Sequence, residues 1–141
     1  MEKLDYQEGR TELASFGEFA LIDRLTEGFT TQNKSTVKGV GDDCAVLGTG
    51  KNKMLVTTNT LVEGVNFDMM YTPLKHLGYK AVLNVIGEVY AQMRQPSALS
   101  VNLGISSRFC YEDIESFWEG VLTAAKEHGI KQLALDLNPS I

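Results

Sequence analysis

An amphipathic run beginning at Thr72-Pro73 constrains this chain more than any other feature. It carries apolar side chains at Leu74, Leu77, Ala81, Val82, Val85, Ile86, Val89, Tyr90 and Met93. Three-and-four spacing sustained over that length fits a helix and no strand. Thr72 suits an N-cap, and Pro73, with its fixed φ and missing N–H, suits the first helical position. The pattern predicts a helix reaching about Arg94, with Pro96 as its stop. A second stripe, Ile114, Phe117, Trp118, Val121, Leu122 and Ala125, is closed by Gly129 at the C′ position.

Between and after these helices the period changes. Leu99, Val101, Leu103 and Ile105 alternate with Ser100, Asn102 and Gly104, as a half-buried strand does, and residues 131–137 supply a last strand. Upstream, Phe19, Ile22 and Leu25 predict a short helix over about 17–27, with Gly28 as its stop. Residues 30–38 are polar and aperiodic and read as a loop. Residues 45–47 read as a short strand, 48–52 as a turn, and 54–57 and 61–67 as neighbouring strands of one sheet. The alternation gives an α/β (α+β) domain spanning residues 1–141, with a mixed β-sheet and two long helices on one face. Residues 1–10 are polar and expected to be loose.

Charge and cysteine usage then exclude whole classes of function. A net charge of −5 and scattered Lys and Arg leave no basic surface for nucleic acid. The polar, acidic start and the lack of a long apolar run predict no secretory signal and no membrane span, hence a cytoplasmic protein. Cys44 and Cys110 lack metal-ligand spacing, and with only His76 and His128 a histidine-based zinc site has too few ligands.

The chemistry-bearing stretch is Gly39-Val40-Gly41-Asp42-Asp43. Two carboxylates behind paired glycines offer a seat for a divalent cation and a polyphosphate, and such cations are commonly held by one or two carboxylates plus substrate phosphates. Taken alone, Gly-Asp-Asp reads as a solvated turn before it reads as a metal site.

The motifs occur in a fixed order: Thr11-Glu12-Leu13, Gly17-Glu18-Phe19, Gly39 to Leu47, Leu61-Val62-Glu63-Gly64-Val65, and His76 to Val82. This series resembles thiamine-monophosphate kinase, within the superfamily of aminoimidazole ribonucleotide synthase. The resemblance runs from about residue 11 to about residue 135 and covers the amino-terminal half of that family, without its second domain. It implies Mg²⁺ and ATP as cofactors, thiamine monophosphate as small-molecule substrate, and a homodimer in which two sheets complete a shared barrel. A separate second-domain chain is a further expected partner.

Position by position, the resemblance makes Asp43 a metal ligand, with Asp42 beside it. Thr57, Thr58 and Asn59 stand where the family has Ser-Thr-Asp, so a neutral amide replaces a ligand carboxylate. Glu88 replaces a helical aspartate, one methylene longer. Asn66 takes the place of a substrate-contacting histidine. Asp136 falls one residue from the aspartate of a Gly-Gly-Asp-Thr motif at the nucleotide phosphates, and a one-residue shift on a strand reverses its face. Gln92, Met93 and Arg94 replace a small Met-Gly-Ala. No residue is assigned as catalytic. Read without the resemblance, Glu88 is equally a polar residue at the edge of its helix, Asn59 a turn residue, and Asp136 a solvated one. Two functions follow: an ATP-dependent phosphotransferase acting on thiamine monophosphate, or a non-catalytic dimerising relative with weak or no nucleotide binding.

Overall fold

The computed structural model describes residues 13–140. The expected loose stretch 1–10, Thr11, Glu12 and Ile141 lie outside the described residues. The chain forms two compact units, the first ending at Val56 and the second beginning at Thr57.

In the first unit a turn of 3₁₀ helix at Leu13–Ser15 precedes α1 (Glu18–Thr26), then β1 (Thr36–Lys38), β2 (Ala45–Thr49) and β3 (Asn52–Val56). The strands form one antiparallel sheet in the order β1-β2-β3. The β2–β3 hairpin pairs Thr49 with Asn52, leaving Gly50-Lys51 as its two-residue turn. β1 corrects the expected loop at 30–38. The Asn33 side chain accepts from the Ser35 N–H and hydroxyl, folding the chain back so that Thr36 and Lys38 meet β2. Three residues interrupted by a register shift are too few to show a period of two.

The second unit holds α2 (Leu74–Ala91), β4 (Ala98–Ser106), α3 (Tyr111–Glu127) and β5 (Gln132–Ser140). β4 and β5 pair in parallel through the α3 crossover, with Leu99, Val101 and Leu103 opposite Leu133, Leu135 and Leu137. The buried core comes from both helices: Leu77, Val82 and Ile86 of α2 against Phe117, Val121 and Ala124 of α3. Leu99, Val101 and Leu103 pack onto it from β4, so the helices cover the β4 half of the parallel pair's apolar face, while Leu135 and Leu137 of β5 stay about half exposed. Its other face carries Ser100, Asn102, Ala134, Asp136 and Asn138, all exposed. The mixed α/β architecture is thus present. Its antiparallel pairing lies in the first unit and its parallel pairing in the second.

Two glycines set how closely the helices approach. A Cβ on Gly78 would lie 2.0 Å from the Phe117 carbonyl oxygen, and one on Gly120 would lie 1.9 Å from that of Lys75. Backbone therefore meets backbone at the crossing, and no side chain can turn aside to make room.

Three local expectations are corrected. Residues 61–67 form a tight turn, not a strand. Val65 and Asn66 donate from their N–H groups to the Val62 carbonyl, Gly64 sits at φ 78°, and the Asn66 side chain accepts from the Val62 N–H at 2.8 Å. The apolar residues that suggested a strand are partly exposed, Val65 at 79%. At the start of α2 the N-cap is Pro73, not Thr72. Pro73 is extended (φ −58°, ψ 140°), while the Thr72 N–H is committed to the Asp68 carbonyl in the preceding turn.

The end of α2 falls at Ala91, well before Pro96. There the Met93 N–H donates to the Tyr90 carbonyl and the Arg94 N–H to that of Val89, a Schellman closure with Met93 at φ 55°. α3 ends the same way, but with Gly129 at φ 68°, as expected. One closure therefore uses the residue suited to left-handed backbone, and the other a methionine whose side chain is 92% exposed.

Two predictions follow from these contacts. In Gly78→Ala and Gly120→Ala, the gain in helix propensity of about 1 kcal/mol is outweighed by overpacking against backbone, for a net loss of about 2 kcal/mol or more in urea unfolding. Met93→Gly relieves left-handed strain of about 1–2 kcal/mol against a chain-entropy cost of about 0.4–1 kcal/mol, so the same measurement should show a net gain.

Candidate functional site

The residues singled out from the sequence fall into both units. Asp42 and Asp43 occupy the loop between β1 and β2. Lys38, the last residue of β1, donates from its ammonium to one Asp42 carboxylate oxygen, and the Asp43 N–H donates to the other at 2.9 Å. The Lys38 hydrogen bond holds the Asp42 carboxyl below the usual carboxylate range. Asp42 is thus committed to closing its own loop, and Asp43 beside it is exposed. Lys38 had no place in the sequence reading, although its position four residues ahead of Asp42 was a visible charge pairing.

In the second unit Thr57, Asn59 and Glu88 come together across about thirty residues of sequence. Residues 57–62 have no helix or strand of their own, whereas Glu88 sits half-buried in the last turns of α2. The Thr57 hydroxyl donates to one Glu88 oxygen, and the Asn59 amide nitrogen to the other at 3.3 Å. Thr58, between them, is exposed.

Asn66 and Asp136 stand in other settings. The Asn66 side chain closes its own turn, and its backbone carbonyl accepts from Lys80 Nζ at 2.7 Å. Asp136 lies opposite Asn102 on the polar, exposed face of the parallel pair, where Asn138 Nδ2 donates to Asn102 Oδ1 at 2.9 Å. That is the face opposite Leu135 and Leu137, as the one-residue displacement on the strand requires.

The Glu88 cluster does not fit a resident divalent cation. It offers one carboxylate, both of whose oxygens already accept hydrogen bonds, and Asn59 turns its nitrogen towards that carboxylate, so its coordinating oxygen points elsewhere. Among the described residues no three His, Cys, Asp or Glu side chains gather into a metal-binding group.

Comparison with known proteins shows the family of the chain. Residues 41–137 match the AIR synthase related protein, N-terminal domain family. Thiamine-monophosphate kinase from Bacillus subtilis is 33% identical over 111 residues, covering 77% of this chain and 34% of the relative. The Aquifex aeolicus thiamine-monophosphate kinase is 31% identical over 114 residues, covering 81% and 35%. A solved structure, AaThiL complexed with AMPPCP and TMP, superposes with a TM-score of 0.80 at 25% identity, over 95% of this chain and 41% of that one. The chain thus spans about a third of the length of the relatives it matches. It belongs to the AIR synthase related protein family, whose N-terminal domain it carries, and is homologous to thiamine-monophosphate kinases.

Proposed function

We propose that this chain is the amino-terminal part of a thiamine-monophosphate-kinase-type phosphotransferase, which passes a phosphoryl group from ATP to thiamine monophosphate in thiamine diphosphate synthesis. The likeness over 95% of the chain to a relative solved with AMPPCP, an ATP analogue, and TMP carries this reading. Phosphoryl transfer depends mainly on positioning and charge neutralisation, and Asp43 is the carboxylate this chain offers to a magnesium ion arriving with the triphosphate. In the second unit Thr57, Thr58, Asn59 and Glu88 are proposed as further site residues, with Asn66 and Asp136 as minor contacts to substrate and nucleotide. A cytoplasmic location suits such a biosynthetic enzyme, and no helix among the described residues is long and apolar enough to cross a membrane.

The proposed activity draws on further polypeptide: a second copy of this chain, a separate second-domain chain, or both. Supporting this, Leu122, Leu135 and Leu137 are each about half exposed beside an open groove of about 600 Å³ between α3 and the parallel strands. The second reading, a non-catalytic dimerising relative, is favoured by one observation: both Glu88 oxygens already accept hydrogen bonds, from Thr57 and Asn59.

Isolated, the chain should bind Mg-ATP only weakly in calorimetry and transfer no phosphate to thiamine monophosphate. Fused to the remaining two thirds of the Bacillus subtilis relative, it should show transfer that Asp43→Ala abolishes. A folded fusion that binds ATP without transferring phosphate would establish the non-catalytic reading instead. Light scattering of the isolated chain should give a dimer mass, and a monomer at high concentration would count against self-association.

A further inference from the structure

The hydrogen bonds at Glu88 carry a conclusion that holds under either functional reading. A half-buried carboxylate on a helix needs either a cation or hydrogen-bond donors to offset the loss of water. Here donors are supplied from one short segment. The Thr57 hydroxyl serves one oxygen, and the Asn59 amide, 3.3 Å away, serves the other. Residues 57–62 have neither helix nor strand, so these side chains tie the opening of the second unit to α2.

For a cation to enter against Glu88, the Asn59 amide would have to rotate its oxygen inward and surrender its bond to the carboxylate. The incoming ion would then face one negative charge and two neutral oxygens, a poor set for a hard divalent ion. We infer that Thr57, Asn59 and Glu88 form a metal-independent clasp that fixes the 57–60 segment on α2, doing with hydrogen bonds what a bridging cation would otherwise do.

The identity of residue 59 decides between these arrangements. Aspartate is nearly isosteric with asparagine but removes the donor, placing two carboxylates about 3 Å apart, where both cannot stay ionised without a proton or cation between them. Asn59→Asp should therefore convert the clasp into a site that requires an ion.

The test uses the full chain with Mg²⁺ or Mn²⁺ alone. Without nucleotide, its outcome is separate from that of the phosphotransfer assay. In thermal unfolding the natural chain should give the same Tm in EDTA and in millimolar MgCl₂ or MnCl₂. Asn59→Asp should melt about 4–8 °C lower in EDTA and recover when Mn²⁺ is added. Glu88→Gln should melt lower and ignore the ions. As a second readout that needs no folded Asn59→Asp, paramagnetic resonance titrations of free Mn²⁺ should coincide for the natural chain and Glu88→Gln. Ion-induced stabilisation of the natural chain that disappears in Glu88→Gln, a Mn²⁺ titration that loses a site in that variant, or an Asn59→Asp chain indifferent to ions would each overturn the clasp.

Discussion

The backbone contact between α2 and α3 is the constraint on which the second unit depends. Because Gly78 and Gly120 carry no Cβ, each helix sits against the other's carbonyls, at Phe117 and at Lys75. That approach lets Val82, Val121 and Ala124 be almost wholly removed from water and brings the β4 face onto the same core. A fully buried valine contributes roughly 1.5–3 kcal/mol. Several such residues share this one crossing, so the two glycines govern more stabilisation than any single apolar side chain does. The crossing also anchors α2, and with it the height at which Glu88 is presented to the segment at 57–60.

The site chemistry follows from the residue type at that fixed place. Asn59 is a donor where a carboxylate would be only an acceptor, and one atom's identity determines whether Glu88 is satisfied internally or left needing an ion. A similar economy operates at Asp42, whose two oxygens are taken by Lys38 and by the Asp43 N–H. Asp42 and Glu88, two of the carboxylates singled out from the sequence, thus hold local structure together.

What the sequence made legible is what periodicity encodes. α2, α3 and β4 were readable because their stripes are long and regular, and Gly129 marked an end that glycine serves well. The misreadings share a cause: each turned on hydrogen bonds that spacing does not record. Thr72 is not the cap because Pro73 is still extended and its carbonyl accepts the first helical bond, from the Leu77 N–H. α2 ended early because Met93 accepts the left-handed position usually given to glycine, so no signal marked the stop. Residues 61–67 have the apolar density of a strand, but the Asn66 side chain competes for the Val62 N–H and folds the run into a turn. The pairing of Gly78 with Gly120 was invisible because each matters only to the other helix. The meeting of Thr57 and Asn59 with Glu88 was approached only through the family resemblance, which named all three positions but not the direction of their hydrogen bonds.

The central claim, that α2 presents Glu88 to donors and not to a cation, is most directly tested by anomalous diffraction from crystals of this chain grown in MnCl₂. The account predicts no manganese peak within about 2–2.5 Å of the Glu88 oxygens, with the Asn59 amide nitrogen and the Thr57 hydroxyl still turned towards them. Manganese bound to Glu88, with the Asn59 oxygen rotated in beside it, would contradict it.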